Sequence, residues 1–222
     1  MKTAAIFGAT GLVGSFLLRD LLGHPDYAQV IVFTRRDPGM EHPKLKIRTG
    51  DFNTLAASNE PLQADEVFIA LGSTTRKTPD QQEYYRIDHG YPVLAARRAR
   101  EGGATSAFIV SAIGANADSK AFYLRTKGEM ERDILALGYK RTCIFRPSLI
   151  LGDRKENRPL EKVAAMAFPI LNPLLRGAFD RYRAITAEDI ATAMIRAADL
   201  KDGSGGIYQW REMEALLHRA QP

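Results

Sequence analysis

Thr3-Ala4-Ala5-Ile6-Phe7-Gly8-Ala9-Thr10-Gly11-Leu12-Val13-Gly14-Ser15-Phe16-Leu17-Leu18-Arg19-Asp20-Leu21-Leu22 reads as a strand, a glycine turn and a helix. An apolar run of strand length meets Gly8, Gly11 and Gly14 at regular spacing, and Val13, Phe16, Leu17 and Leu21 then recur at helical intervals. Gly8 suits a tight turn, Gly11 lets backbone approach a pyrophosphate, and Gly14 lets the helix lie close on the strand. With Thr10, Leu12 and Val13 they are the expected dinucleotide-phosphate contacts, the anion resting on the free N–H groups and positive dipole end of the helix. The run from Thr3 to Leu18 is uncharged and follows Lys2, as the apolar part of a secretory leader would be. The glycines interrupt it and Arg19-Asp20 follows, which argues against a leader's unbroken helix.

The 222 residues suit one α/β domain with a small appendage, enough chain to bury a core without disulfides or metals. Cys143, the only cysteine, sits in a strand-like apolar run and has no internal partner, so the expected compartment is a reducing cytoplasm. The four histidines are scattered, and no His, Cys, Asp and Glu cluster has metal-ligand spacing, so no metal is expected. The formal charge of +5 and pI of about 9.3 are modest and spread along the chain. They argue against a nucleic-acid surface, and Arg97, Arg98 and Arg100 read as a solvated helix face. Val163 to Leu175, the longest later apolar stretch, contains two prolines and is too short to span a bilayer, so no membrane role is expected.

Gln29 to Thr34 forms a second strand without alternation, as a parallel strand covered on both faces does. An NAD site places a carboxylate at this strand end to hold the ribose 2′-hydroxyl. Here stand Thr34, Arg35 and Arg36, suited to fork onto a 2′-phosphate, so NADP(H) is expected over NAD(H); the other reading is two exposed arginines in a turn. After a third strand, Lys44 to Thr49, Asp51 and Phe52 fall where an adenine-edge contact lies, and Asp51 equally suits a helix cap. The fourth strand, Glu66 to Leu71, ends in Gly72, Ser73 and Thr74, which with Leu71 line the carboxyl edge where ligands of open α/β sheets bind. A helix over about Asp80 to Glu101 follows, interrupted near Gly90-Tyr91-Pro92.

The fifth strand, Ala107 to Val110, delivers Ser111 to that same edge. Tyr123 and Lys127 then stand one helical turn apart, on a line continued by Met130, Ile134 and Leu137, so a lysine sits on a core-facing stripe. Such a position is costly unless the ammonium has a partner, which makes Ser111, Tyr123 and Lys127 the candidate catalytic residues. The sixth strand, Arg141 to Phe145, leads into Arg146-Pro147-Ser148-Leu149, of which Pro147 and Leu149 are expected cofactor neighbours. Composition shifts after Gly152: residues 153–159 form a polar loop and Leu160 to Leu175 is an apolar stretch expected to cover the substrate. The division is thus a cofactor-binding core over residues 1–152 and a small C-terminal cover over 153–222, packed on the core. Arg154, Lys155 and Arg158 either face an acidic substrate group or hold the loop through ion pairs.

Together, Gly8 through Gly14, Ser111, Tyr123-x-x-x-Lys127, Arg146-Pro147 and Asp189-Ile-Ala-x-Ala193 resemble the short-chain dehydrogenase/reductase superfamily in its extended or atypical branch. More narrowly, Leu71 through Arg76, Tyr123 through Glu129 and Asp153-Arg-x-Glu-x-Arg158-Pro resemble the Tat-interacting-protein group and its bacterial relatives. The resemblance implies a Rossmann-type doubly wound parallel sheet and hydride transfer between NADP(H) and a small carbonyl or alcohol. It implies Tyr123 as proton donor, Lys127 as the charge beside it and ribose contact, and Ser111 as donor to the substrate oxygen. Where many extended members carry asparagine, this chain reads Ile87-Asp88-His89-Gly90. The alternative is a cofactor-binding regulatory module with a protein partner; a sugar-nucleotide epimerase or dehydratase is disfavoured, because about 70 residues follow Gly152.

Overall fold

The computed structural model describes residues 1–35, 39–58, 60–74, 76–152, 175, 177–200 and 204–219. Its centre is a seven-stranded sheet, parallel throughout, in the order β3-β2-β1-β4-β5-β6-β9. The strands are β1 (Lys2–Phe7), β2 (Tyr27–Thr34), β3 (Leu45–Thr49), β4 (Glu66–Ile69), β5 (Ser106–Val110), β6 (Arg141–Phe145) and β9 (Gly206–Tyr208). Two short strands, β7 (Ile150–Leu151) and β8 (Ile185–Thr186), pair separately. The order reverses between β1 and β4, the switch point at which open parallel sheets hold ligands beyond their carboxyl ends. The expected doubly wound fold is present.

Residues alternate between two cores, so unbroken apolar runs such as β1 are buried on both faces. Ala4, Ile6, Val30, Val32, Phe68, Phe108, Cys143 and Phe145 pack under α1 (Leu12–Gly23), α6 (Ala187–Ala198) and α7 (Trp210–Leu217). Ala5, Phe7, Ile31, Val67, Ile69, Ala107 and Ile109 pack under α4 (Tyr91–Glu101) and α5 (Phe122–Leu135). Ala95, Ala96 and Ala99 are fully buried on α4, whose small side chains let it approach the sheet. Cys143 lies within the first core, where burial pushes its thiol pKa up and leaves it inert.

The helix expected over Asp80 to Glu101 is three pieces: α3 (Gln81–Tyr85), a π turn (Arg86–Gly90) and α4, with Pro92 in the first turn of α4. The π turn is the interruption, and it carries Asp88 inward to 1% exposure. A 3₁₀ helix spans Gly177–Tyr182, and β9 shows that the C-terminal part supplies a strand of the main sheet. The expected covering stretch, residues 160–175, lies almost wholly outside the described residues, as do Arg154, Lys155 and Arg158.

Candidate functional site

The glycine turn is built on close approach. Gly8 has φ +88°, and a Cβ there would lie 2.5 Å from the carbonyl oxygen of Ala70 at the end of β4. A Cβ on Gly14 would lie 1.9 Å from the Gly8 oxygen, so both positions demand glycine for packing alone. Gly11 caps α1 without a side-chain bond, its N–H donating to Gly8 O at 2.9 Å. The first turn of α1 therefore meets the switch point with uncapped N–H groups, beside exposed Thr10 and Gly11. Val13 is core, so its contribution to a phosphate is backbone alone, and the Leu12 side chain lies 3.0 Å from where a Gly152 Cβ would stand. That contact brings the end of β7 over the turn, near Pro147 and Leu149; these residues give their carbonyls to Ile113 N–H (2.9 Å) and Ile185 N–H (3.0 Å).

At the end of β2, Thr34 accepts Gly50 N–H at 2.9 Å and Arg35 is exposed, while Arg36 lies outside the described residues. Asp51 takes the capping role: its Oδ1 accepts from Thr54 N (2.7 Å) and Oγ1 (2.9 Å), and these bonds hold its pKa below the ordinary carboxylate value. Phe52 stacks on Tyr91 with centroids 3.9 Å apart, so that ring face is closed to an adenine.

Two of the catalytic candidates, Tyr123 and Lys127, lie on α5, where Tyr123, Lys127 and Glu131 follow at i, i+4 and i+8 on one face. Lys127 is 4% exposed, and its Nζ stands 2.8 Å from Asp88 Oδ1. Asp88 Oδ2 accepts Ser73 N–H at 2.7 Å, tying the end of β4 to the pair, and Ser73 Oγ lies 2.7 Å from Thr78 Oγ1. A Cβ on Gly72 would sit 3.3 Å from Asp88 Oδ1 and 3.5 Å from Lys127 Nζ, so the bare backbone of Gly72 lies directly over the ion pair. Leu71 packs against the second core and Thr74 turns the chain through its carbonyl.

Tyr123 is 40% exposed, its ring set edge-on to Tyr84 at 6.4 Å, and among the described residues its hydroxyl has no hydrogen-bond partner. Desolvation raises its pKa above the ordinary phenol value, Lys127 pulls the other way, and Asp88 adds a smaller upward push. Ser111 is buried and donates its hydroxyl proton to Glu131, which also binds the Arg146 guanidinium through Arg146 Nε to Oε1 (2.9 Å) and Nη2 to Oε2. The expected role of Ser111 as a free donor to a substrate oxygen thus needs revision: its single proton is already engaged.

Glu131 is the site residue that sequence reasoning missed, and Asp88 and Arg146 are the two it singled out without assigning them a role. Glu131 had a signal, a carboxylate four residues beyond Lys127 on the same face. Asp88 stood out where many extended members carry asparagine and Arg146 in the Arg146-Pro147 motif, but only the fold brings them to α5. At the opposite, amino edge of the sheet the fold also gathers His24, Asp26 and Asp199, whose ligand atoms lie within 4.8 Å of one another, a cluster that linear spacing hides.

A family model described as the NAD dependent epimerase/dehydratase family matches residues 4–209. The chain belongs to this family. Among curated relatives of this epimerase/dehydratase member, "Protein fmp52, mitochondrial" of Aspergillus fumigatus is 38% identical over 204 residues, covering 89% of this chain and 87% of the relative. The Candida albicans protein of that name is 35% identical over 160 residues, covering 70% of each. Among solved structures, human epimerase family protein SDR39U1 (isoform 2) with NADPH superposes with TM-score 0.64 at 17% identity, covering 98% of this chain and 81% of that one. The Bordetella bronchiseptica enzyme WbmH with NAD+ gives TM-score 0.67 at 19% identity, covering 94% and 75%. The relatives' names carry fmp52, with no support for the narrower Tat-interacting-protein grouping, and their mitochondrial designation overturns the expected cytoplasmic compartment. The reason is physical. One unpaired cysteine argues against oxidising compartments and does not choose among reducing ones.

An epimerase/dehydratase fold of this kind supports a nicotinamide-dependent enzyme, and the glycine turn fits such a cofactor. A Cβ at Gly8 or Gly14 would fill the space between turn and sheet, and the uncapped N-terminus of α1 presents donors suited to a pyrophosphate.

Proposed function

We propose that the protein is an NADP(H)-dependent oxidoreductase acting on a small carbonyl or alcohol, with Tyr123 as proton donor and Lys127 as the cation that stabilises its phenolate. The observation that carries this reading is the buried Lys127–Asp88 pair beneath Gly72, one helical turn from an exposed phenol whose hydroxyl no described group engages. Burying an ammonium and a carboxylate together costs more than an apolar pair of the same size, so stability alone is a weak reason for them.

The cofactor, when bound, supplies the hydride. Tyr123 gives its hydroxyl proton to the oxygen of the carbonyl as it becomes an alcohol, and the Lys127 charge limits the cost of the phenolate left behind. Asp88 and Ser73 N–H hold Lys127 in place. Glu131 and Arg146 hold Ser111 with its proton directed away, so the Ser111 oxygen offers lone pairs, and a substrate hydroxyl is a better partner for it than a carbonyl. Arg35, exposed at the end of β2, supports the preference for a 2′-phosphate.

A second reading has the family's description in its favour: an epimerase or dehydratase uses the same Tyr123 and Lys127 for a transient oxidation and returns the hydride. Fluorescence titration with NADPH and NADH, wild type beside Arg35→Asp, tests the cofactor. NADPH should bind about tenfold or more tightly than NADH, since a charge-assisted contact contributes about 1.5–3 kcal/mol, and the variant should lose that preference. Equal affinities in wild type remove the NADP reading. Net loss of NADPH absorbance against a panel of aldehydes, ketones and quinones supports the oxidoreductase; conversion of a sugar nucleotide with no net loss supports the second reading.

A further inference from the structure

An open cleft of about 420 Å³ lies beyond the carboxyl ends of β5, β6 and β9. Ile113 and Leu124 form its apolar wall, and Arg146, Arg181, Tyr182 and Gln209 its polar one; among the described residues no acidic side chain lines it. Leu124, on the cleft's wall, directly follows Tyr123, the proposed proton donor, in α5.

Its two arginines differ. Arg146 gives Nε and Nη2 to Glu131, which compensates its charge. Arg181 rests on the ring of Tyr182, 4.9 Å from its centroid, and has no carboxylate partner among the described residues. The nearby carboxylate, Asp180, is taken by Arg211 at 2.6 Å and Arg183 at 3.4 Å, and Arg183 also stacks on Trp210 at 4.4 Å. The cleft thus carries one uncompensated guanidinium on an aromatic shelf, facing an apolar wall. A planar, delocalised cation so held is suited to fork onto a carboxylate or phosphate.

We infer that this cleft is the substrate subsite, and that it takes a small molecule joining an apolar body to one terminal anion, bound at Arg181 with its reactive oxygen toward Tyr123. This rests on the oxidoreductase reading for the orientation, and on the cleft alone for the anion.

Calorimetric titration separates the two. Benzoate and phenyl phosphate, with benzamide as the neutral control, are titrated into wild type, Arg181→Lys and Arg181→Glu. At least one anion should bind wild type, weaken severalfold in Arg181→Lys, and weaken by about tenfold or more in Arg181→Glu, with benzamide indifferent to all three; the favoured anion tells carboxylate from phosphate. Equal binding to wild type and Arg181→Glu, or binding of neither anion, overturns the inference. In parallel, NADPH consumption is followed with 4-carboxybenzaldehyde and 4-methylbenzaldehyde. Arg181→Glu should raise KM about tenfold or more for the first and leave the second unchanged. If the anion binds as expected and neither aldehyde consumes NADPH, the oxidoreductase reading fails and the anion subsite stands. If both aldehydes are reduced equally by wild type and variant, the subsite fails and the oxidoreductase reading stands.

Discussion

Two trios of tyrosine, carboxylate and lysine stand at opposite edges of the same sheet, and they differ in which group the carboxylate claims. At the amino edge, where β1, β2 and β4 begin, Tyr27 donates its hydroxyl to Glu66, and Lys2 Nζ lies 2.9 Å from the same carboxylate. Tyr27 is 1% exposed, and burial first and Glu66 second drive its pKa far above the ordinary phenol value. That phenol is committed and sealed. At the carboxyl edge Asp88 is taken by Lys127 and by Ser73 N–H, which leaves the Tyr123 hydroxyl open. The lysine's charge then acts on the phenol as a downward pull on its pKa. The same three side-chain types close a phenol off in one place and leave its hydroxyl open, as the proposed proton donor must be, in the other.

The sharpest way to break the comparison is to remove each lysine. Lys127→Met leaves Asp88 buried with one N–H partner and should cost about 3–5 kcal/mol in denaturant unfolding at pH 7. Adding Asp88→Asn should recover part of that loss, because the uncompensated charge is then gone. Lys2→Met, on a side chain 37% exposed over a buried Glu66 that keeps its bond from Tyr27, should cost less, about 1–2 kcal/mol. Equal losses would mean that the two lysines do the same job.

A smaller effect sharpens the amino-edge half. Tyr27→Phe removes the donor to Glu66 and should cost about 1–3 kcal/mol at pH 7. Because the folded-state pKa of Tyr27 is raised, its contribution is complete below the unfolded pKa of about 10 and declines as pH climbs beyond that value. The gap between wild type and Tyr27→Phe should therefore narrow above about pH 10. Buried Tyr84 and half-buried Tyr139, also raised, keep some alkaline slope in both proteins. A gap that widens with pH contradicts the assigned direction.

What the sequence made legible is what is local. The glycine turn, the two-faced strands and the Tyr123–Lys127 turn are set by spacing within one or two elements, and each appears where the spacing placed it. Lys127 on an inward stripe announced that a partner must exist. Its identity was hidden, because Asp88 comes from a π turn whose extra residue per turn breaks the helical periodicity that reading relies on. Asp51 had two readings, and two hydrogen bonds from Thr54 supply the capping one. Ser111 stood at the strand end as expected, but the direction of its proton depends on Glu131 and Arg146, which meet only through the sheet and α5.

The comparison is tested most directly by single-turnover decay of NADPH absorbance, using the carbonyl that wild type reduces fastest, with Tyr123→Phe and Tyr27→Phe side by side. Tyr123→Phe keeps the ring and removes one hydroxyl, and should slow the decay by about 10²–10⁴-fold with NADPH affinity nearly unchanged, the usual size of general acid assistance. Tyr27→Phe should lose stability and decay at the wild-type rate. If Tyr123→Phe reduces the carbonyl as fast as wild type, the proton comes from another group and the carboxyl-edge trio is not the catalytic one.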